Sequence, residues 1–294
     1  MRQDFYEEYR RIELEHWWFI ARRRIILTVL TRWLRHPQAE LGVPPRDNRS
    51  QPVSNPRLLD VGVGSGVMLR YLEAFGQVVG CDRERAALVP SFLKAVPPNG
   101  VGGGTQVVQA EAEHLPFKPE SLDLVTMLDL LEHIADDRGV LSDVGRILRP
   151  KGILCVTVPV YRWLWGNQDL ISRHVRRYQP GELERKIEAA GLCILYQTYF
   201  NTFLFPVVAM IRLIRRGRAL LGGCYAGLDP DRLPSDFSMT KPGRLNDALA
   251  WIFSQEARWL RRWRFPMGVS LLCLAQKPAA PLEGPLPLAQ ELNS

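Results

Sequence analysis

The sequence predicts an α/β fold, a doubly wound and mostly parallel seven-stranded sheet with helices on both faces. Three observations predict it. From Arg57 onward, short apolar runs alternate with stretches of helical periodicity. Helix-stop signals, Arg149-Pro150-Lys151-Gly152 and Ala190-Gly191, fall just before the next apolar run. The first run, Leu58-Leu59-Asp60-Val61-Gly62-Val63-Gly64-Ser65-Gly66, ends in an acid and turns through a glycine bend toward a helix.

The expected strands are 57–61, 77–81, 105–109, 121–128, 152–158, 193–200 and 268–275. Helices are expected at 67–75, 84–95, 137–148 and 180–190, and a further one at 4–35 places Leu14, Trp17, Trp18, Ile25, Leu30 and Trp33 among arginines. The alternation breaks after Phe200, where 201–222 and 244–264 read as two helices around a Pro- and Asp-rich loop. The domain reading is therefore an N-terminal cap helix (1–36), a Pro-rich linker (37–56), a core (57–200 and 266–277), a helical insertion (201–265) and a disordered tail (278–294).

Composition bounds the function. The 294 residues are 46% hydrophobic and 23% charged, a globular balance that excludes fibrous, disordered and disulfide-framework classes. The start is charged where a signal peptide needs an apolar stretch, and the run from Phe203 to Ile211 falls short of the about 20 residues of a spanning helix. Five scattered cysteines without a CxxC pair read as reduced thiols, so no metal is expected and the expected location is cytoplasmic. The net charge is +7, and between Phe200 and Phe265 eleven basic residues face five acids. An acidic surface or substrate near that stretch follows.

The glycines of the first bend let the backbone turn sharply and approach a ligand. Their spacing is G-x-G-x-G, whereas dinucleotide binders use G-x-G-x-x-G, and Asp60 would repel a pyrophosphate. A cationic group, ammonium or sulfonium, suits that carboxylate better. Asp82 ends the second strand, where a carboxylate can accept both ribose hydroxyls. The stretch Gln109 to Phe117 follows the third strand and offers acceptors for an adenine edge.

At this point the sequence resembles the class I S-adenosylmethionine-dependent methyltransferases, Rossmann-like enzymes, in their small-molecule branch of the ubiquinone/menaquinone-biosynthesis type. The motifs are LLDVGVGSG, VVGCD, AEAEHLPF, SLDLVTMLDLLEHI and LRPKGILCVTVP, in order and with normal spacing. The resemblance implies S-adenosyl-L-methionine as cofactor. It implies that Asp60, Gly62, Gly64 and Gly66 hold the methionine part, Asp82 with Arg83 the ribose, and Glu111 and Ala112 the adenine, with Asp129 at the reactive end. Val63 stands where the family often has Cys, and Ala110-Glu111 where it often has Gly-Asp. The family also begins with an aromatic and arginine-bearing helix that closes over the cofactor, which places Trp17, Trp18 and Arg22 nearby.

Methyl transfer needs alignment above all, and a base for the acceptor's proton where the acceptor is a hydroxyl, amine or acidic carbon. The candidates are His133, His174, Asp129 and Glu132, with His133 favoured because it follows the fourth strand. Arg173, Arg176 and Arg177 form a candidate anion grip. The insertion combines an apolar face (Leu249, Ile252, Phe253, Leu260, Trp263) with arginines. That suits a lid over a lipid-like acceptor or a peripheral membrane contact. The competing functions are a non-catalytic cofactor-binding protein and a nicotinamide oxidoreductase. A nucleic-acid methyltransferase is disfavoured because Leu128-Asp129-Leu130-Leu131 lacks the Pro-Pro-Tyr that holds a base amine. The sequence leaves the oligomeric state open.

Overall fold

The structure, a computed structural model, describes residues 3–35, 55–88, 106–220 and 242–279. A seven-stranded sheet runs in the order β3-β2-β1-β4-β5-β7-β6. Its strands are β1 (Arg57–Val61), β2 (Gln77–Asp82), β3 (Gln106–Gln109), β4 (Leu122–Leu128), β5 (Leu148–Pro159), β6 (Cys193–Phe200) and β7 (Ser270–Gln276). Pairing is parallel from β3 through β5, and β7 lies antiparallel between β5 and β6. The order reverses between β1 and β4, and in such sheets ligands bind beyond the carboxyl ends of the strands at that point.

The central strands are apolar on both faces, as a sheet covered on both sides requires. One side packs Leu58, Leu124, Cys155 and Leu274 against Ile25, Ile26, Val29 and Leu30 of α2 (Trp17–Arg35). The other packs Leu59, Val125, Leu154 and Cys273 against α4 (Asp137–Ile147) and α6 (Glu182–Ala189). Between them in chain order lie α3 (Val67–Leu72) and α5 (Asn167–Ile171), and the helices of the insertion are α7 (Phe205–Leu220) and α8 (Arg244–Trp259).

The sheet follows the expected strands closely, with one clear difference. β5 begins at Leu148, so the expected helix stop Arg149-Pro150-Lys151-Gly152 lies inside the strand. The register against β4 shifts between Leu122 and Leu124, and Lys151 takes a φ of 67°. An irregularity of this kind is what admits a proline into a strand. The helix expected at 84–95 is a single 3-10 turn, Arg85–Leu88, in the part described. The linker before Asn55 and the tail after Ala279 lie outside the described residues.

The single expected helix at 4–35 is two helices, α1 (Gln3–Glu15) and α2, broken at His16. Unpaired amides at the start of a helix need acceptors. The Trp17 amide donates to Asn246 Oδ1 at 2.8 Å, and the Trp18 amide donates to His16 Nδ1 at 3.3 Å. Burial lowers the His16 pKa to about 4, so the ring stays neutral and able to accept. Asn246 also donates to the Glu15 carbonyl at 2.9 Å and so bridges both sides of the break. The second helix of the insertion therefore packs on α2, with Phe253 stacked on Phe200 and Trp17 edge-on to Phe253.

That packing buries an acid. Glu256 on α8 is fully buried and accepts the Phe203 amide at 2.8 Å on Oε1, and among the described residues Oε2 has no partner. Burial pushes its pKa up to about 7, against the backbone amides that favour the anion. A carboxyl whose pKa is raised on folding stabilises the fold below its unfolded pKa, and the benefit is lost as pH rises through about 7. Glu256→Gln is therefore expected to match the parent near pH 5 and to exceed it near pH 9 by about 2–3 kcal/mol. Urea midpoints at the two pH values check this.

Candidate functional site

The glycine bend after β1 is the centre of the site. Gly62, Gly64 and Gly66 take φ values of 77°, 53° and 75°. A side chain at Gly62 would be strained by its φ of 77°, and its Cβ would press on the Leu130 side chain at 2.8 Å. The Gly62 amide is fixed on the Cys81 carbonyl at 2.8 Å. Asp60 is buried beneath the bend, with Oδ1 accepting from Thr126 Oγ1 at 2.5 Å. Burial pushes its pKa up to about 6, although Thr126 and Arg22 favour the anion. It is a carboxylate short of positive charge, at the place where a cationic ligand group would supply it.

Asp82 braces the bend from the tip of β2. Oδ2 accepts the Gly64 amide at 3.0 Å and Oδ1 accepts the Glu84 amide at 2.9 Å. Each oxygen keeps acceptor capacity for a ligand. Arg83 turns to solvent, 3.8 Å from Glu84. The Ala110 amide donates to the Asp82 carbonyl at 3.1 Å, which places exposed Glu111 and half-buried Ala112 just beyond this tip. Asp60, the three glycines, Asp82 and the Glu111 segment thus gather along adjoining strand ends.

The N-terminal helices roof the bend. The Tyr9 ring faces Gly64, and the Glu13 carboxylate accepts the Ser65 hydroxyl. Burial pushes the Glu13 pKa up to about 7, against Arg22 and Arg23. Arg22 is buried, with Nε 2.7 Å from Asp129 Oδ2, Nη2 3.5 Å from Thr157 Oγ1 and its guanidinium 5.2 Å over the Trp18 ring. Trp18 and Arg22 thus lie together beside Asp129, whereas Trp17 packs against Phe253.

Asp129 follows β4 with a φ of 54°, a conformation that side chains rarely take and that recurs at functional sites. Its amide donates to Thr157 Oγ1 at 3.1 Å, and the Thr157 hydroxyl donates back to Oδ1 at 3.1 Å. Held by Arg22 and Thr157, its carboxylate is committed to the scaffold. Glu132 is 1% exposed and, among the described residues, neither carboxylate oxygen has a side-chain partner. Burial and the nearby Asp129 raise its pKa. The His133 ring meets the His174 ring edge-on at 4.7 Å. Burial of one side and the neighbouring His174 lower the His133 pKa to about 4, so it is neutral at pH 7.

The expected arginine grip does not form as a unit. Arg177 Nε lies 2.7 Å from Asp169 Oδ1 and Arg176 Nη1 lies 2.7 Å from Asp137 Oδ2. Both are spent on buried acids, while Arg173 is exposed. The sequence reading did not single out Tyr9, Glu13, Thr157 or Asp169. Thr157 stands at the carboxyl end of β5, a position the strand pattern already marks, but Tyr9 and Glu13 carry no local signal within their helix.

Residues 59–156 match the family model of a methyltransferase domain. The chain is 30% identical over 176 residues to the ubiquinone biosynthesis O-methyltransferase of Sinorhizobium fredii, covering 53% of this chain and 68% of that protein. It is 30% identical over 152 residues to the corresponding Aeromonas salmonicida protein, covering 47% and 63%. In fold it is similar to a candidate sarcosine dimethylglycine methyltransferase from Galdieria sulphuraria, with a TM-score of 0.50, 16% identity, and 85% and 86% of the two chains covered. With its sheet order, glycine bend and these relatives, the chain belongs to the class I S-adenosylmethionine-dependent methyltransferases, and S-adenosylmethionine is its cofactor.

Proposed function

We propose that this enzyme methylates a hydroxyl oxygen of a small aromatic acceptor carrying an apolar tail, drawn from a membrane surface. The carrying observation is an aromatic cluster at the carboxyl end of β5 that runs into an exposed apolar helix. Tyr161 lies parallel to Tyr199 at 6.0 Å and stacks on Trp163 at 5.9 Å, with Phe205, the first residue of α7, at 5.9 Å. From there Val207, Met210, Leu213 and Ile214 of α7 stand exposed, as do Trp251, Trp259 and Trp263 at α8 and just beyond. Arg216, Arg258, Arg261 and Arg262 on the same two segments are exposed as well. Apolar and tryptophan side chains ringed by arginine suit an anionic lipid surface. Among the described residues, no helix is long and apolar enough to cross a membrane. Relatives that act in ubiquinone biosynthesis support an aromatic oxygen acceptor.

In this reading S-adenosylmethionine supplies an activated methyl group. Asp60 faces its cationic part, the glycine bend gives it room, Asp82 accepts from the ribose hydroxyls, and the Glu111-Ala112 segment meets the adenine. Trp18 and Arg22 close the roof, and Arg22 with Thr157 fixes Asp129 at the reactive end. The acceptor oxygen arrives at the Glu132, His133 and His174 group, where its proton must leave. The main contribution of the protein is alignment, which can be worth about 7–11 kcal/mol.

Two measurements test this. Labelled methyl donor with a phenol bearing a long apolar tail, supplied in phosphatidylglycerol vesicles, is expected to give the methyl ether faster than the tail-less phenol. Label on nitrogen or carbon, or no transfer to either phenol, removes the reading. Cofactor affinity is also expected to depend on pH. Asp60 must lose its proton to face a cation, so affinity should fall by about tenfold between pH 7 and pH 5. Arg22, Asp82, Glu13 and Thr126 surround that carboxylate, and calorimetry on Asp60→Asn should show a weaker and flatter profile.

A further inference from the structure

Glu13 stands over the glycine bend on α1, one turn after Tyr9. Residues four apart share a helix face, so the Tyr9 ring over Gly64 and the Glu13 carboxylate over Ser65 look down on the same loop. α1 is seated there by packing on α3 and on the 3-10 turn Arg85–Leu88 beyond Asp82. Its last turn is also held from behind. Arg23 Nη1 donates to the Glu13 carbonyl at 3.2 Å, and the Arg23 guanidinium lies 4.8 Å over the Tyr71 ring. Both the backbone and the carboxylate of Glu13 are therefore placed by contacts with the core.

An acid set over a ligand site selects by charge. Burial, and with it the charge of Asp60 beneath the bend, pushes the Glu13 carboxyl up, against Arg22, Arg23 and Arg10. Arg22, the strongest of those cations in its effect, is committed to Asp129 and Thr157. Two carboxylates so placed are best served by a ligand cation at the bend. The methionine part of S-adenosylmethionine offers two cations of different kinds. The sulfonium has no hydrogen-bond donor, whereas the α-ammonium has three. Glu13 Oε2 accepts the Ser65 hydroxyl, which leaves Oε1 and a further lone pair able to accept. The two sides of the bend also differ. Gly62 lies against Leu130, the neighbour of Asp129, while Gly64 lies under Tyr9. The sulfonium belongs on the Asp129 side, where its methyl meets the acceptor, so the amino-acid end is what lies under α1.

We infer that Glu13 is a further cofactor-binding residue, whose carboxylate accepts N–H bonds from the α-ammonium of S-adenosylmethionine. The inference rests on the cofactor placement proposed above and makes no use of the acceptor. Charge-assisted bonds of this kind are the strong ones. The cofactor's own carboxylate sits on the same carbon as the ammonium and is repelled by Glu13, so the pair of charges is read in one orientation only. Methyl transfer removes the sulfonium charge and leaves the ammonium unchanged. Glu13 therefore grips the methyl donor and the spent thioether alike, and discrimination between them falls to groups that face the sulfur.

Calorimetry on the full chain with three ligands tests this. S-adenosylmethionine carries both cations, S-adenosylhomocysteine keeps the ammonium and lacks the sulfonium, and methylthioadenosine keeps only the adenine, ribose and sulfur. Glu13→Gln is expected to weaken the first two alike, by about 10–100-fold, and to leave methylthioadenosine within about threefold of the parent. A loss confined to S-adenosylmethionine places Glu13 at the sulfonium. An equal loss for methylthioadenosine places it at the ribose, and no loss for any ligand takes it out of the site. Each of these three results overturns the inference. If the variant does not fold, the parent decides: the carboxyl carbon resonance of Glu13 must move on adding S-adenosylhomocysteine and hold on adding methylthioadenosine, and any other pattern overturns it. Asp60→Asn and Asp82→Ala separate the failures. If they weaken S-adenosylmethionine while Glu13→Gln does not, this inference alone falls; if all three variants bind as the parent does, the cofactor placement falls with it.

Discussion

Asp82→Ala is expected to raise the dissociation constant of S-adenosylmethionine by about a hundred- to a thousandfold. Two hydrogen bonds from ribose hydroxyls to a carboxylate, each worth about 1.5–3 kcal/mol, set the scale. The half-buried position of Asp82 takes the value toward the lower end, about 3–4 kcal/mol. The substitution also removes the acceptor for the Gly64 and Glu84 amides, so part of the loss comes from a looser bend. Asp82→Asn separates the two contributions. Its side-chain oxygen retains one amide contact but brings no charge, so its affinity should fall between those of the parent and the alanine variant. Calorimetry at pH 7.5 measures all three proteins, and an alanine variant within threefold of the parent would remove Asp82 from the ribose.

The second large effect is on stability. Phe253→Ala is expected to cost about 3–5 kcal/mol, the range for deleting a fully buried aromatic ring. Its ring stacks on Phe200 at 6.3 Å with 3° between planes, and the Trp17 ring meets it edge-on at 5.9 Å. The cavity would open between the sheet, α2 and α8, three elements that cannot close on it without shifting one another. A fall in the urea midpoint with an unchanged slope is the expected signature. Phe253→Leu, which keeps most of the volume, should recover more than half of the loss. If Phe253→Ala unfolds at the parent midpoint, α8 is not part of the core.

Much of this was legible in the sequence because it depends on local rules. Strand tips are marked by where an apolar run ends, so Asp60, Asp82 and Asp129 could be placed before any contact was known. What sequence could not supply was the meeting of distant segments. His133 and His174 could each be named, but their rings meet because the chain returns after β5 to pair Val160 with Tyr178. The same return spends Arg176 and Arg177 on Asp137 and Asp169, which ends their reading as an anion grip. His16 sits inside a convincing helical period, and the break there depends on Asn246, over two hundred residues away. Glu256 reads as one more charge on an arginine-rich helix, although the fold seals it inside.

The break at His16 decides how the glycine bend is covered. α2 is riveted to the core, while α1 reaches the bend through Tyr9 and Glu13. The His16 amide still donates to the Ile12 carbonyl at 2.9 Å and the Ile20 amide to the His16 carbonyl at 3.2 Å, and Arg23 donates to the Glu13 carbonyl at 3.2 Å. The kink therefore changes the direction of the chain without cutting it loose, and the ceiling above the glycines inherits its rigidity from the buried helix behind it.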